Sequence, residues 1–162
     1  MSNATLGFLD GLEGWRVVVT SLSAFSGGWG LYVGATGACT ALSAKLAPLG
    51  RAPGLWAYEH ELPLGAARAR AFLERCIEHD VLAAAVSRPA RPDEPLVTIS
   101  MWSSRGAHAS VARPAGEAVA SIDAVVRAAT KLHRQARRSA LTREAPLEAS
   151  WRPWLRGSGA GP

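Results

Sequence analysis

Residues 31–50 read LYVGATGACTALSAKLAPLG, and the conformation of this stretch decides the fold. Leu31–Val33 is apolar and β-prone, and Gly34-Ala35-Thr36-Gly37 is a turn signal. If a helix follows the turn, the chain is laid out as strand–helix–strand around a parallel sheet. If a strand follows, the turn closes a hairpin and the sheet is antiparallel. Pro48 sits where such a helix would still be running, and proline inside a helix removes a hydrogen bond and clashes with the preceding turn. The hairpin is therefore the reading adopted, with Cys39–Lys45 as its returning strand.

Working outward, Trp15–Ala24 (WRVVVTSLSA) is rich in β-branched residues and reads as a strand, separated by Ser26-Gly27-Gly28 from a second one over Trp29–Ala35. Leu55–Leu62 alternates, with Trp56, Tyr58, His60 and Leu62 on one face and Glu59 and Glu61 on the other. Pro63–Asp80 switches to helical spacing, placing Ala69, Phe72, Leu73, Cys76 and Ile77 on one face. A proline-rich loop over 87–95 (SRPARPDEP) ends that unit. Leu96–Ser103 is a strand, and Ala107–Arg113 returns as its hairpin partner. A last helix runs from about Glu117 to Arg138, with Val119, Ile122, Val125, Val126, Ala129 and Leu132 in one apolar arc. Strands followed by segregated helices predict an α+β fold in a single domain over residues 1–140. Its antiparallel sheet has five to six strands, ordered as a β-meander, a helix, a β-hairpin and a helix, and both helices pack on one face. Residues 141–162 read as a basic, tryptophan-containing C-terminal tail.

Composition narrows the class. The chain has 162 residues, of which 48% are apolar, enough to bury a core as one globular domain. Sixteen arginines against two lysines fit the codon usage of a GC-rich bacterium. The formal charge of +5 is uneven: from Arg127 onward eight basic residues face Glu144 and Glu148, so the excess belongs to the C-terminal part. The start, MSNATLGFLDGLEGW, has neither the basic nor the apolar region of a secretory signal, and no run approaches the apolar length of a membrane span. Cys39 and Cys76 lack metal-type or redox-type spacing and read as two buried thiols in a reducing cytoplasm.

The 31–50 stretch resembles the nucleotide-binding turn of the extended short-chain dehydrogenases, in which glycines let the backbone approach a pyrophosphate at a helix N-terminus. That resemblance implies a small-molecule or nucleotide binder using Gly34–Gly37, with Glu59 or Glu61 near the ribose. Against it, Thr40 holds the position of the last glycine, and neither Tyr32 nor Tyr58 has the catalytic lysine four residues on. His60 and His108 both fall on strands and are able to meet, with Glu59, Glu61 or Asp93 nearby, yet no histidine pair has ligand spacing. No catalytic residue, metal ligand or cofactor is nominated from these patterns.

Two surfaces carry the functional expectation. Arg127, Lys131, Arg134 and Arg138 repeat at intervals of 4, 3 and 4, which stacks all four on one side of the last helix, opposite the apolar arc. Such a stripe tracks an acidic protein groove or, in a sequence-independent way, the phosphates of nucleic acid. The helix carries no aromatic residue interleaved with the cations, as a nucleic-acid binder would. Near the C-terminus, Trp151 and Trp154 flank Arg152-Pro153, and each ring buries on the order of 200 Å² when it finds a groove. The tetrapeptide resembles the terminal corepressor-docking motif of the Hairy family of eukaryotic transcription factors. It is not terminal here, and the basic helix–loop–helix region is missing, so no role is carried over. The tail either straps its own domain or docks on another chain, including a second copy. Over 15–135, the Ser26-Gly27-Gly28 turn, the order of elements and PDEPLVTISMW (92–102) resemble the emfourin-like proteins, small bacterial α+β domains whose namesake inhibits thermolysin-type metalloproteases. That resemblance implies a non-catalytic, protein-binding role, as an inhibitor or accessory subunit. The expectation is a cytoplasmic interaction domain using Trp151, Trp154, Arg127, Lys131, Arg134 and Arg138.

Overall fold

The computed structural model describes residues 14–86, 88–103 and 108–150. Seven strands form one antiparallel sheet: β1 (Arg16–Ser23), β2 (Gly27–Gly34), β3 (Cys39–Leu46), β4 (Leu55–Glu61), β5 (Leu96–Trp102), β6 (His108–Pro114) and β7 (Leu141–Pro146). Two α-helices, α1 (Ala66–Glu78) and α2 (Ala120–Ala136), a 3-10 turn at Val81–Ala83 and a helical turn over residues 147–150 complete the described elements. The strand order is β6-β5-β1-β2-β3-β4-β7. β1 is central, paired with its hairpin neighbour β2 and with the distant β5, so that Val19 stands between Leu31 and Ile99.

The deciding stretch is a hairpin. Gly37 N–H donates to the Gly34 carbonyl (3.0 Å) and Gly34 N–H to the Ala38 carbonyl (2.9 Å), which closes a three-residue loop of the kind that ends in a left-handed glycine. Gly37 has φ 94°, and a Cβ there would stand 2.5 Å from the Gly65 carbonyl carbon. The same corner is tied by Leu64 N–H to the Gly37 carbonyl and Leu62 N–H to the Cys39 carbonyl. The turn thus fixes both the register of β3 and the point from which α1 departs.

One face of the sheet carries the main core. Val17, Val19, Leu31, Val33, Ile99 and Met101 meet Phe72, Leu73 and Cys76 of α1 and Ile122, Val125 and Ala129 of α2. Each such aliphatic or aromatic side chain contributes about 1.5–3 kcal/mol on burial. The start of α2 is pinned to β6. Arg113, 7% exposed, forms an ion pair with Asp123 and donates to the Pro114 and Ala115 carbonyls; the second Asp123 oxygen accepts from Val119 N–H. The proline-rich loop is held in a similar way. Glu94 takes two hydrogen bonds from the Arg88 guanidinium (2.6 and 2.8 Å) and one each from the backbone N–H of Arg91 and Gly116.

The other face has its own smaller cluster of Val18, Leu42, Ala44, Ala57 and Trp102, flanked by Leu22, Tyr32 and Leu147. Across its lower row, the Arg16 guanidinium lies 4.5 Å from the Trp102 ring, and His108 stacks on the far side of that indole at 4.7 Å. The three residues are cross-strand partners on β1, β5 and β6, so the ladder follows from register alone.

The architecture is α+β with an antiparallel sheet, as the element order predicts, but the sheet has seven strands where five to six were expected. The additional strand is β7, inside the segment that reads as tail. Leu141, Thr142, Arg143 and Glu144 are all exposed on the sheet edge, so β7 shows no buried alternation for a sequence pattern to register. A bulge between Glu59 and His60 and the charged pair Arg143 and Glu144 blunt that edge against further pairing. Val119, placed in the apolar arc, is the extended residue that precedes α2.

Candidate functional site

The outer face of α2 is where the sequence pattern and the fold converge. Arg127, Lys131, Arg134 and Arg138 are exposed and line one open groove of about 540 Å³, with Val126, Thr130 and Gln135 as the remaining wall and floor. The 4-3-4 spacing produces this because residues three and four apart in a helix stack on one side. Arg127, Lys131 and Arg134 lie on α2, and Arg138 follows two residues past its end at Ala136, short of the expected helix to Arg138; eleven steps of helical rise span about 16 Å. The Thr130 hydroxyl donates to the Val126 carbonyl (2.8 Å), and the Gln135 side-chain oxygen accepts from Arg68 of α1 (3.0 Å). The hydroxyl proton and amide oxygen are thereby engaged within the protein, while Arg68 brings a fifth cation to the rim. Among the described residues, none of the four stripe cations has an acidic side chain in ion-pair range. The arrangement therefore holds positive charge over a partly apolar floor.

Beneath the stripe, α2 is anchored by a residue that the sequence reading missed. His133 is 6% exposed; its Nε2–H donates to the Leu42 carbonyl of β3 (3.0 Å), and its ring tilts against Trp29 at 5.4 Å. The signal was available, since position 133 lies four residues after Ala129 and eight after Val125, on the buried side of the helix. Burial pushes the imidazole below its ordinary value; the Leu42 hydrogen bond opposes this, and the charges of Arg137 and His60 add to it. A histidine depressed in the folded state is uncharged where the unfolded chain already binds a proton. Its contribution to stability is present above the ordinary histidine value near 6.5 and fades as pH falls toward the folded value. Thermal midpoints measured from pH 7.5 to 5 are expected to fall with a component that His133→Gln removes; an identical slope in that variant would count against this account.

His60 and His108 do not meet. His60 is on β4, with Nδ1 3.0 Å from the Ser139 carbonyl, whereas His108 is on β6, five strand steps away, stacked on Trp102 of β5. No group of three histidine, cysteine or acidic side chains among the described residues is arranged to hold a metal ion. Gly34–Gly37 leads into β3, so no helix N-terminus stands behind the turn, and β4 lies antiparallel to β3 instead of forming a second parallel strand. The groove beside the turn, about 560 Å³ and lined in part by Thr36, Thr40 and Glu61, presents a carboxylate where a phosphate would need donors. Cys39 lines it too, but burial pushes its thiol up to about 12, with Arg68 opposing, and burial does the same to Cys76 on α1. Both are free, buried thiols that stay protonated at neutral pH. Trp151 and Trp154 lie outside the described residues. No family model, curated protein or solved structure matches the chain.

Proposed function

We propose that the chain is a non-catalytic protein-interaction domain that receives an acidic segment of another protein on the outer face of α2. The observation carrying this reading is the groove of Arg127, Lys131, Arg134 and Arg138, aligned and without acidic partners among the described residues. A partner helix with acidic residues at the same 4-3-4 interval would set carboxylates opposite all four cations, with Val126 offering an apolar contact between them. The likeness to emfourin-like domains points to the same class of partner. Nucleic acid fits less well, because the groove offers no aromatic platform for bases and the Thr130 proton is already donated. A cytoplasmic setting belongs to the same proposal: no helix among the described residues is long and apolar enough to cross a membrane, and both cysteines are free thiols.

The test is fluorescence anisotropy with two probes, a helical peptide carrying Glu at the 4-3-4 interval and a single-stranded oligonucleotide of similar charge. Reversing the four cations (R127E, K131E, R134E, R138E) is expected to weaken the peptide by at least about tenfold near 0.15 M salt. Far-UV circular dichroism should stay unchanged, since the four side chains are solvent-exposed. Equal peptide binding by the reversed variant sinks the reading, and so does an oligonucleotide that binds the parent more tightly than the peptide.

A further inference from the structure

The face of the sheet turned away from α1 and α2 is buried, although neither helix reaches it. Val18, Leu42 and Ala57 are 1%, 0% and 0% exposed and Trp102 9%, while the core residues of both helices belong to the opposite cluster. At the middle of this face β2 places a residue without a side chain, Gly30, between Thr20 of β1 and Leu42 of β3. Tyr32, the next side chain of β2 on this face, leans the other way: its hydroxyl lies 3.0 Å from the point where a Cβ on Gly34 would stand. Gly30 and Thr20 are nonetheless buried. A glycine inside a central strand leaves no side chain to pack and marks a place where another group approaches the backbone closely. Protein interiors are close-packed, so a buried glycine flanked by Thr20 and Leu42 requires a group from elsewhere packed over it.

The chain itself turns onto this face at the end of β7. Pro146 is paired with Trp56, Leu147 packs on the small cluster, and residues 147–150 form a helical turn. Ser150 is 1% exposed and stands beside Glu59, a buried residue of β4. The residues that follow are Trp151-Arg152-Pro153-Trp154-Leu155. Gly30 on β2 is two strands from Glu59 on β4, or roughly 10 Å at the usual strand spacing, a distance that a large side chain within one or two turns of Ser150 spans.

We propose that the buried backbone at Gly30 is the seat of the chain's own C-terminal segment, with a tryptophan ring of the Trp151/Trp154 pair lying over it. The pair then serves the domain that carries it, and the basic face of α2 is the surface left for a partner. A flat ring suits this position because it packs over an exposed glycine backbone without needing depth, and it buries on the order of 200 Å² in doing so. The entry of Leu147 and Ser150 from β7 gives the segment its direction.

The experiment is a double-mutant cycle on the full chain, read by thermal unfolding. W151A/W154A is expected to lower the midpoint by about 10 °C or more and to raise binding of an apolar dye. Gly30→Leu is expected to destabilise the parent, because its side chain displaces the ring, and to cost much less in the W151A/W154A background, where the space is vacant. If W151A/W154A does not fold, Trp151→Phe and Trp154→Phe are paired with Gly30→Ala, and the coupling is read in that cycle. A midpoint for W151A/W154A within about 2 °C of the parent overturns the proposal. So does an equal cost of Gly30→Leu in both backgrounds. Coupling of Gly30→Leu to deletion of residues 1–13, with none to the tryptophans, assigns the cover to the N-terminal segment and overturns it equally.

Discussion

Gly37→Ala is expected to lower the midpoint of thermal unfolding by on the order of 10 °C, one of the two largest effects foreseen for a single substitution in the described residues. Two separate costs meet at this position. A φ of 94° is a conformation that residues with a side chain rarely adopt, and the added Cβ would stand 2.5, 2.6 and 2.7 Å from the carbonyl carbon, Cα and N of Gly65. Those are backbone atoms, held by the hydrogen bond from Leu64 N–H to the Gly37 carbonyl and leading straight into α1. The turn therefore cannot open without moving the helix. Gly50 separates the two costs, since it has φ 86° but nothing within 4 Å of its virtual Cβ. Gly50→Ala should cost about 1 kcal/mol from backbone strain alone, and Gly37→Ala about three times that. A Gly37→Ala midpoint no lower than that of Gly50→Ala would show that the contact at Gly65 relaxes and that conformation is the whole effect.

The second large effect is expected at the ion pair that fixes α2. Asp123→Ala leaves the Arg113 guanidinium in a site where its side chain is only 8% exposed, and removing one partner of a buried pair typically costs about 3–5 kcal/mol. The lower end applies here. Arg113 keeps the Pro114 and Ala115 carbonyls as acceptors, and the Asp123 side chain is 24% exposed, so solvent screens part of the interaction. The same substitution removes the acceptor of Val119 N–H, and α2 has no side-chain cap to replace it. Urea unfolding of Asp123→Ala should therefore show a stability loss of about 3 kcal/mol. The double replacement Arg113→Leu/Asp123→Leu should recover most of it, because no charge remains to be desolvated. Equal losses in the single and double variants would mean that the pair's shape matters and its charge does not.

The sheet's centre and the helices were legible because their burial imposes a period. β1 and β5 read as apolar runs, since β1 is covered on both faces and β5 on most of its length, while α1 and α2 show helical spacing because only one side is covered. The hairpin reading of residues 31–50 rested on Pro48 and Thr40, and the strand Cys39–Leu46 agrees with it. β7 escaped because an edge strand with five of its six residues exposed buries too little to leave a pattern. The basic stripe was readable from spacing, as a surface helix keeps its register whatever it packs on. His133 has the spacing of a core position, but a polar ring is satisfied there only by an acceptor, and that acceptor, the Leu42 carbonyl, is 91 residues away in the sequence. The Arg113–Asp123 pair and the Arg16, Trp102 and His108 ladder are likewise products of tertiary register.

The central position of β1 also has a consequence on the ribosome. β1, β2 and β3 are consecutive and can zip together as soon as they emerge, yet the other edge of β1 belongs to β5, which is made only after β4 and α1 have followed. For that interval the nascent chain displays an unpaired, Val-rich strand edge over Arg16–Leu22 that the finished sheet never shows. Neither outer edge of the mature sheet offers a comparable hazard, because β7 carries a bulge and charges and β6 ends in Arg113 and Pro114. The step most exposed to misassembly is therefore a matter of translation timing: the wait for Leu96–Trp102 to arrive and close the middle of the sheet.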